Sequence, residues 1–250
     1  MPSENTFASL ISTFGDFLTV AIHTIIYERH IYPLDTFITA RKWNYPVRQS
    51  RHPKVCNWIN DAVAAVQEEL LKGTVDRIAV VIYSQYAQPL ERFVFDLSRF
   101  PVVAREDFHT PIERQSPVPQ PGKSAPPPKP VVDLDEQFRA VMAKLTVCDT
   151  MLKPVAEGCT FTVAIELKDQ ADPPIGHPQP WVPVQPSLQR EVPKSQDSEA
   201  RSGSDLGGAS VTPVRSVDHG EMVFEMWIEE GIAKEEAEGS QPASSGVRVI

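Results

Sequence analysis

Histidine and cysteine provide many of the bases, nucleophiles and metal ligands of proteins, and this chain of 250 residues has six histidines and three cysteines. No histidine lies at zinc-ligand spacing from another histidine or from a cysteine. The glycine-rich nucleotide motifs, the G-x-S-x-G nucleophile motif and the H-E-x-x-H zinc motif are also missing. The sequence therefore predicts no metal, no cofactor and no catalytic residue, although a hydrolase or transferase built from scattered His, Cys and Asp residues stays open at this point.

The net charge and the cysteines restrict the class of partner and the compartment. Acidic residues outnumber basic residues by 33 to 24, so we expect no direct binding of nucleic acid, which needs a clustered basic surface. Cys56, Cys148 and Cys159 form no CxxC pair and are odd in number, which favours the cytosol or the nucleus. We expect no signal peptide, and we interpret the apolar stretch 17–27 as a core helix because a membrane span needs about 20 residues.

Two tryptophans do not fit a self-contained core. Trp181 lies in the proline-rich run His177-Pro-Gln-Pro-Trp-Val-Pro, where it either pins a loop to the core or anchors a ligand. In the strand pattern of residues 222–228, alternation directs Phe224, Met226 and Ile228 to the core and Val223, Glu225 and Trp227 to the opposite face. That outer face is either a docking surface or is covered by another part of the chain.

Three helices are indicated by apolar residues at helical spacing. The first covers 5–30, with a polar stripe that includes Asp16 and His23 and that we expect to face solvent. The second begins near Pro53 and stops at Gly73, and the third begins near Asp133 or Asp135 and continues to Leu152.

Strand patterns follow at 77–83 and 92–97, which are close enough for a hairpin, and again at 159–168 and 222–228. The fold class is therefore α+β, with helices on one face of a mostly antiparallel sheet. Of the 24 prolines, nine lie in 101–130 and seven in 173–193. These stretches predict a flexible insertion at about 109–132 and an irregular excursion from Asp169 to about Gly220.

Several blocks of the sequence, in combination and in this order, resemble the HORMA family. They are Phe17-Leu-Thr-Val-Ala-Ile-His-Thr-Ile-Ile-Tyr, Ile31-Tyr-Pro, Tyr45-Pro-Val with His52-Pro, Glu91-Arg-Phe-Val-Phe-Asp, Thr146-Val-Cys-Asp and Gly158-Cys-Thr-Phe-Thr-Val. Within the family, the chain is most similar to the accessory, non-catalytic subunits of translesion DNA polymerase zeta. The resemblance covers 5–108, 133–182 and 211–230, and it lapses at 109–132, at 183–210 and after Ala233.

The resemblance implies a HORMA domain at 5–232, with three helices on a sheet and a C-terminal "safety belt" at 169–228, followed by an acidic tail at 233–250. The belt of such domains closes over a partner peptide that adds as a strand, so the peptide is trapped and leaves slowly. The positions that match peptide-contacting aromatics are Tyr32, Trp58 and Trp181. Relatives carry tyrosine at the position of Trp58. The aromatic face that stacks on a proline ring is therefore kept, whereas the hydrogen bond of the tyrosine hydroxyl is lost.

The resemblance also implies two further surfaces. Val211, Glu225 and Trp227 match the positions that receive the C-terminal domain of the scaffolding translesion polymerase. Arg139 matches a position used in HORMA homo- or heterodimers, whereas His30 and Thr39 replace residues that are charged in relatives.

The implied function is that of an adaptor without catalysis. It would enclose a proline-containing peptide of the polymerase's catalytic subunit and bridge it to the scaffolding polymerase in DNA damage tolerance, with no direct contact to nucleic acid or membrane. The alternative within the family is a spindle-checkpoint regulator of the anaphase-promoting complex. The resemblance implies a nuclear location, with the cytoplasm as the alternative.

Overall fold

The computed structural model describes residues 5–112, 133–168, 171–174, 181–182 and 208–234. The helices are α1 (Phe7–Glu28), α2 (Pro53–Leu71) and α3 (Leu134–Leu145). The strands are β1 (Phe37–Lys42), β2 (Tyr45–Ser50), β3 (Val75–Tyr83), β4 (Pro89–Asp96), β5 (Thr160–Leu167), β6 (Gly208–His219) and β7 (Met222–Gly231). Strands β3 to β7 form one sheet in the order β5-β3-β4-β7-β6, in which every neighbouring pair is antiparallel. The α+β prediction is therefore confirmed.

Helix α1 lies at the centre of the core. It begins at a capping box in which Thr6 and Ser9 bond reciprocally to each other's backbone N–H groups. Phe17 is fully buried and stacks on Phe138 of α3 with ring centroids 4.5 Å apart, and Phe14 meets Phe224 of β7 edge-on at 5.4 Å. By length and composition α1 could span a membrane, but 67% of its most apolar window is buried inside the fold, as expected for a core helix.

The ends of α2 follow the sequence signals, whereas α3 is shorter than predicted. Pro53 occupies the first turn of α2, and Gly73, with φ of 72°, follows its C-terminal end. The third helix ends at Leu145 instead of Leu152. The Thr146 hydroxyl donates back to the carbonyls of Met142 and Ala143, and a short 3₁₀ turn at Cys148–Thr150 replaces the predicted helical continuation.

Two strand regions differ from the sequence-based expectation. Strands β1 and β2 form a separate antiparallel sheet that was not predicted, joined at Trp43 and Asn44, which both have positive φ. Two residues with positive φ are what a tight hairpin turn needs to follow the twist of its strands. Such turns usually carry Asn-Gly, so Trp43-Asn44 was not recognisable as a hairpin turn from the sequence. Strand β6 lies in the stretch expected to be irregular up to about Gly220. Its Pro213 is tolerated because β6 is an edge strand with a register shift between Pro213 and Arg215.

Candidate functional site

Strand β5 is one of the two edge strands of the large sheet, opposite β6. It pairs with β3 alone within the described part of the chain, with Phe161 opposite Ile82 and Val163 opposite Val80. Backbone N–H and C=O groups on such an edge are a template for an added strand. The structure therefore offers a place for an extended peptide along β5.

An aromatic group flanks this edge on the helix side of the sheet. Phe161 of β5 meets Trp58 of α2 edge-on, with ring centroids 5.1 Å apart and an interplanar angle of 80°. It meets Tyr32 in the same way at 6.4 Å and 89°. Two of the three predicted peptide-contacting residues are thus brought together, and Phe161, which the sequence analysis did not single out, connects them. We call the β5 edge with Tyr32, Trp58 and Phe161 the β5 edge site.

The β5 edge site is largely apolar, with the Tyr32 hydroxyl as a polar group. The Trp58 side chain is 42% exposed, so much of the indole is available to a ligand. Burial raises the pKa of the Tyr32 hydroxyl, which therefore stays protonated and able to donate a hydrogen bond at neutral pH. Such a site favours an apolar or proline side chain next to a backbone that pairs with β5.

The third predicted residue, Trp181, is held against the core. Its side chain is half-buried and packs on the main hydrophobic cluster, whereas the neighbouring Val182 is 82% exposed. The connection from Leu167 to Gly208 leads from one edge of the sheet to the opposite edge, about 19 Å away for a strand spacing of roughly 4.8 Å. This packing supports the pin interpretation of Trp181, and its contact with a ligand stays a prediction.

The outer face of the sheet carries the second predicted set, which we call the outer-face patch: Val211, Glu225 and Trp227. Val211 is 60% exposed and Glu225 is also exposed. Val211 pairs with Glu229 and Pro213 pairs with Trp227, so Val211 and Trp227 share one face of the β6–β7 hairpin. The structure thus places these residues on one face, and their role in docking stays a prediction.

Trp227 is fixed in position by its neighbours on the outer face. The indole packs against a small cluster of Ala79, Val81 and Val94. Its Nε1–H donates to Glu229 at 2.8 Å, and the Arg77 guanidinium lies 5.6 Å from the ring centroid. The inward orientation of Phe224, Met226 and Ile228 is confirmed, because each is at most 2% exposed.

Val223 departs from one expectation about the last strand. Alternation places it on the outer side with Glu225 and Trp227, yet it is only 6% exposed. Val223 therefore contributes nothing accessible to a docking surface.

Arg139, predicted for dimerisation, is tied into the protein itself. One of its guanidinium nitrogens donates to the Trp43 carbonyl at 3.3 Å, which joins α3 to the β1–β2 turn. His30 is exposed with φ of 54°, and Thr39 accepts a hydrogen bond from Arg48 at 2.7 Å. Arg139 is half-buried, so its availability to a second HORMA domain stays a prediction.

Two of the groups that could have served in catalysis, His23 and Cys148, are buried in environments that disfavour their charged forms. Burial lowers the pKa of His23 to about 4 and raises the pKa of the Cys148 thiol to about 12. His23 is therefore neutral at pH 7, and its Nδ1 accepts the Ser50 backbone N–H at 3.4 Å. The expected polar stripe is wrong at His23, which is 4% exposed, although Asp16 is exposed and pairs with Lys42. Among the residues that the structure describes, no group of His, Cys, Asp and Glu could hold a metal ion.

These features define an α+β domain with a sheet edge that no described strand covers, an aromatic group beside it and a long connection to the opposite edge. The HORMA domain profile matches residues 11–200. The DNA polymerase zeta processivity subunit of Schizosaccharomyces pombe is 33% identical over 219 residues, which are 88% of this chain and 92% of that protein. The chain therefore belongs to the HORMA family, and the sequence-based resemblance is confirmed.

Further comparisons find a second relative and two solved structures with a similar fold. The mitotic spindle assembly checkpoint protein MAD2B of Gallus gallus is 32% identical over 63% of this chain, and the match spans 65% of that protein. A chain of a mitotic checkpoint complex crystal structure superposes with a TM-score of 0.61 at 18% identity, covering 89% of this chain and 98% of that chain. Caenorhabditis elegans HTP-2, solved with a HIM-3 closure motif, superposes with a TM-score of 0.53 at 11% identity, covering 90% of this chain and 92% of that chain.

Proposed function

We propose that this HORMA-domain adaptor is the accessory, non-catalytic subunit of a translesion DNA polymerase zeta. The single observation that carries the proposal is the β5 edge site, where a free strand edge runs beside Trp58, Phe161 and Tyr32. The names of the Schizosaccharomyces pombe and Arabidopsis thaliana relatives, both DNA polymerase zeta processivity subunits, support the catalytic subunit of that polymerase as the partner.

In this proposal, a proline-containing segment of the catalytic subunit pairs with β5 as an additional strand. Its backbone pairs with the N–H and C=O groups on the side of β5 that faces away from β3, and a proline ring packs on the exposed part of Trp58. The belt then passes over the bound segment, pinned by Trp181, on its way to β6 at the far edge. Because release requires the belt to open, dissociation is slow for the area buried.

The outer-face patch serves as the second interface of the proposed bridge. Exposed Val211 and the fixed indole of Trp227 provide an apolar surface beside the charge of Glu225. A partner domain that binds there needs a hydrogen-bond donor opposite Glu225. This arrangement lets one chain hold the catalytic subunit at β5 and the scaffolding polymerase at β6–β7, at opposite edges of one sheet, in the nucleus.

The test is a binding measurement with a synthetic proline-containing peptide from the catalytic subunit. Trp58→Ala removes the exposed indole beside β5, and we expect about 30-fold weaker binding, as for a tryptophan worth about 2 kcal/mol at an interface. Tyr86→Ala is the matched control, because Tyr86 is 78% exposed in the β3–β4 connection. Equal affinity of the wild type and Trp58→Ala would refute binding at the β5 edge site.

A checkpoint role is the second candidate, favoured by the MAD2B name of the vertebrate relatives. The same β5 edge site would then hold a peptide from a regulator of the anaphase-promoting complex. A deletion strain separates the two functions: sensitivity to ultraviolet light with a normal arrest in a spindle poison supports the polymerase subunit. The reverse pattern supports the checkpoint role.

A further inference from the structure

A buried ion network lies where the end of α1, the start of β4 and the end of β7 meet. Arg29 is 1% exposed, and its Nε and one Nη donate to the two carboxylate oxygens of Glu91 at 2.9 and 2.7 Å. The other Nη donates to Asp149 at 2.7 Å, at the solvent-facing rim of the network. A bidentate, fully buried pair of this kind is among the stronger ionic contacts in proteins.

The second cation of the network is Lys234, which lies just beyond β7 and is 3% exposed. Its ammonium group donates to Glu91 and to Glu230, the latter at 2.5 Å. Glu230 also accepts the Lys153 backbone N–H at 3.1 Å and the Ser210 hydroxyl at 3.0 Å. Burial alone would raise the pKa of Glu230, but its hydrogen bonds to Lys234, Ser210 and the Lys153 backbone N–H, together with the Lys234 charge, lower it, so Glu230 is ionised at neutral pH.

The β4–β7 register makes Lys234 necessary. Glu91 and Glu230 are direct partners across the two strands, and like charges opposite each other destabilise a sheet. Burying an unmatched carboxylate costs several kcal/mol. With Lys234 in place, the buried members of the network are two cations, Arg29 and Lys234, and two carboxylates, which balance each other, while Asp149 lies half-exposed at the rim.

The chain approaches β4 closely just where Lys234 enters. A Cβ on Gly231 would lie 2.8 Å from the Pro89 carbonyl oxygen, so only glycine lets β7 end against the first residue of β4. Directly after Gly231 the chain becomes helical at 232–234, and the Lys234 side chain reaches the two carboxylates.

We infer that Lys234 is a charge latch that holds the β6–β7 hairpin, the last part of the belt, on β4 and so sets the residence time of an enclosed peptide. Glu230 and Lys234 belong to the same departing segment, four residues apart at the end of β7 and just beyond it. If the hairpin leaves β4, they enter water together as a neutral pair, and Arg29 and Glu91 remain behind as a neutral pair. Charge is therefore balanced in both states, and Lys234 stabilises the docked state selectively without being needed by the rest of the core.

The latch itself is tested on the free protein, and only its effect on residence time rests on the proposed function. In Lys234→Met, Glu91 and Glu230 share the single Arg29 when the hairpin is docked. We expect amide hydrogen exchange in β7 to accelerate at least tenfold, with α1 unchanged. The double variant Lys234→Met with Glu230→Gln restores the charge balance, so we expect exchange in β7 to slow again almost to the wild-type rate. This variant keeps the test decisive if Lys234→Met alone folds poorly.

The matched control is Lys42→Met, because Lys42 forms an ion pair with Asp16 in which both side chains are exposed. Wild-type exchange rates in β7 of Lys234→Met, or no rescue in the double variant, would overturn the latch. With a labelled catalytic-subunit peptide, Lys234→Met should release the peptide at least tenfold faster. If neither the wild type nor the variants bind the peptide while exchange in β7 changes as expected, the proposed function is wrong and the latch is still supported.

Discussion

The indole of Trp58 on α2 and the ring of Phe161 on β5 meet edge-on, 5.1 Å apart, at the boundary between the hydrophobic core and the free edge of the sheet. Phe161 also meets the ring of Tyr32 edge-on, with centroids 6.4 Å apart. Phe161 therefore packs against the hydrophobic core and also contacts both other aromatic residues of the β5 edge site.

Replacing Phe161 with Leu should weaken peptide binding more than it weakens the fold. Leucine fills part of the buried volume, so we expect a stability loss of about 1–2 kcal/mol in urea unfolding. Both aromatic neighbours lose their contact, and we expect at least tenfold weaker binding of the catalytic-subunit peptide. Phe108→Leu is the control, because Phe108 packs on Phe7, 5.6 Å away, at another part of the core. Similar losses of affinity in both variants would contradict the special role of Phe161.

Replacing Trp227 with Ala should separate the two interfaces. The change removes the contacts of the indole with Arg77 and Glu229 and flattens the outer-face patch. We expect loss of capture by the C-terminal domain of the scaffolding polymerase, while the affinity for the catalytic-subunit peptide stays within twofold of the wild type. Trp227→Phe keeps an aromatic ring without the N–H donor and should retain part of the capture. Undiminished capture by Trp227→Ala would place the second interface elsewhere.

His23 should make the protein less stable as the pH falls from 6.5 to about 4. Its pKa is lowered to about 4 by burial, so in this range the unfolded chain binds a proton that the folded chain does not. The stabilisation is complete above pH 6.5 and is lost towards pH 4, by about 3 kcal/mol at 1.36 kcal/mol per pH unit. Urea unfolding at several pH values should show a smaller slope in this window for His23→Gln, which can still accept the Ser50 N–H. An unchanged slope would mean that His23 takes up its proton in the folded state.

Gly73 and Gly158 allow backbone strain to be separated from steric overlap. Both have positive φ, of 72° and 79°, so alanine at either position should cost about 1–2 kcal/mol. At Gly73 a Cβ would also lie 2.9 Å from the Val102 side chain, whereas at Gly158 the nearest atom is 3.9 Å away. We expect Gly73→Ala to lower the free energy of unfolding more than Gly158→Ala, by urea denaturation. An equal or larger loss of unfolding free energy for Gly158→Ala would contradict this expectation and mean that the Val102 side chain moves aside at little cost.

Local patterns were enough to predict the elements that carry long periodic runs. The apolar spacing of α1 and the alternation in β5 and β7 are confirmed, because each element buries one face against the same core. The β1–β2 sheet escaped prediction because its turn uses Trp43 and Asn44, and β6 escaped because Pro213 lies within it. In both cases tertiary context permits a residue that local rules disfavour.

The candidate site was predictable in part. The family resemblance alone nominated Tyr32 and Trp58, and alternation along 222–228 nominated the outer face of β7. The link through Phe161 was not predictable, since alternation identifies an inward side chain but not its neighbours across the core. The buried ion network was also hidden, because Arg29, Glu91 and Lys234 come from distant parts of the chain and only the fold brings them together.

The two edge strands of the large sheet differ in how well their sequences prevent pairing with another chain. Strand β6 carries Pro213 and a register irregularity, which discourage another copy of the protein from pairing there. Strand β5 has eight residues, Thr160–Leu167, with no proline and no basic residue to block such pairing. Purified without its partner, the protein should therefore tend to aggregate through β5, and co-expression with a peptide that covers this strand should increase its yield and solubility.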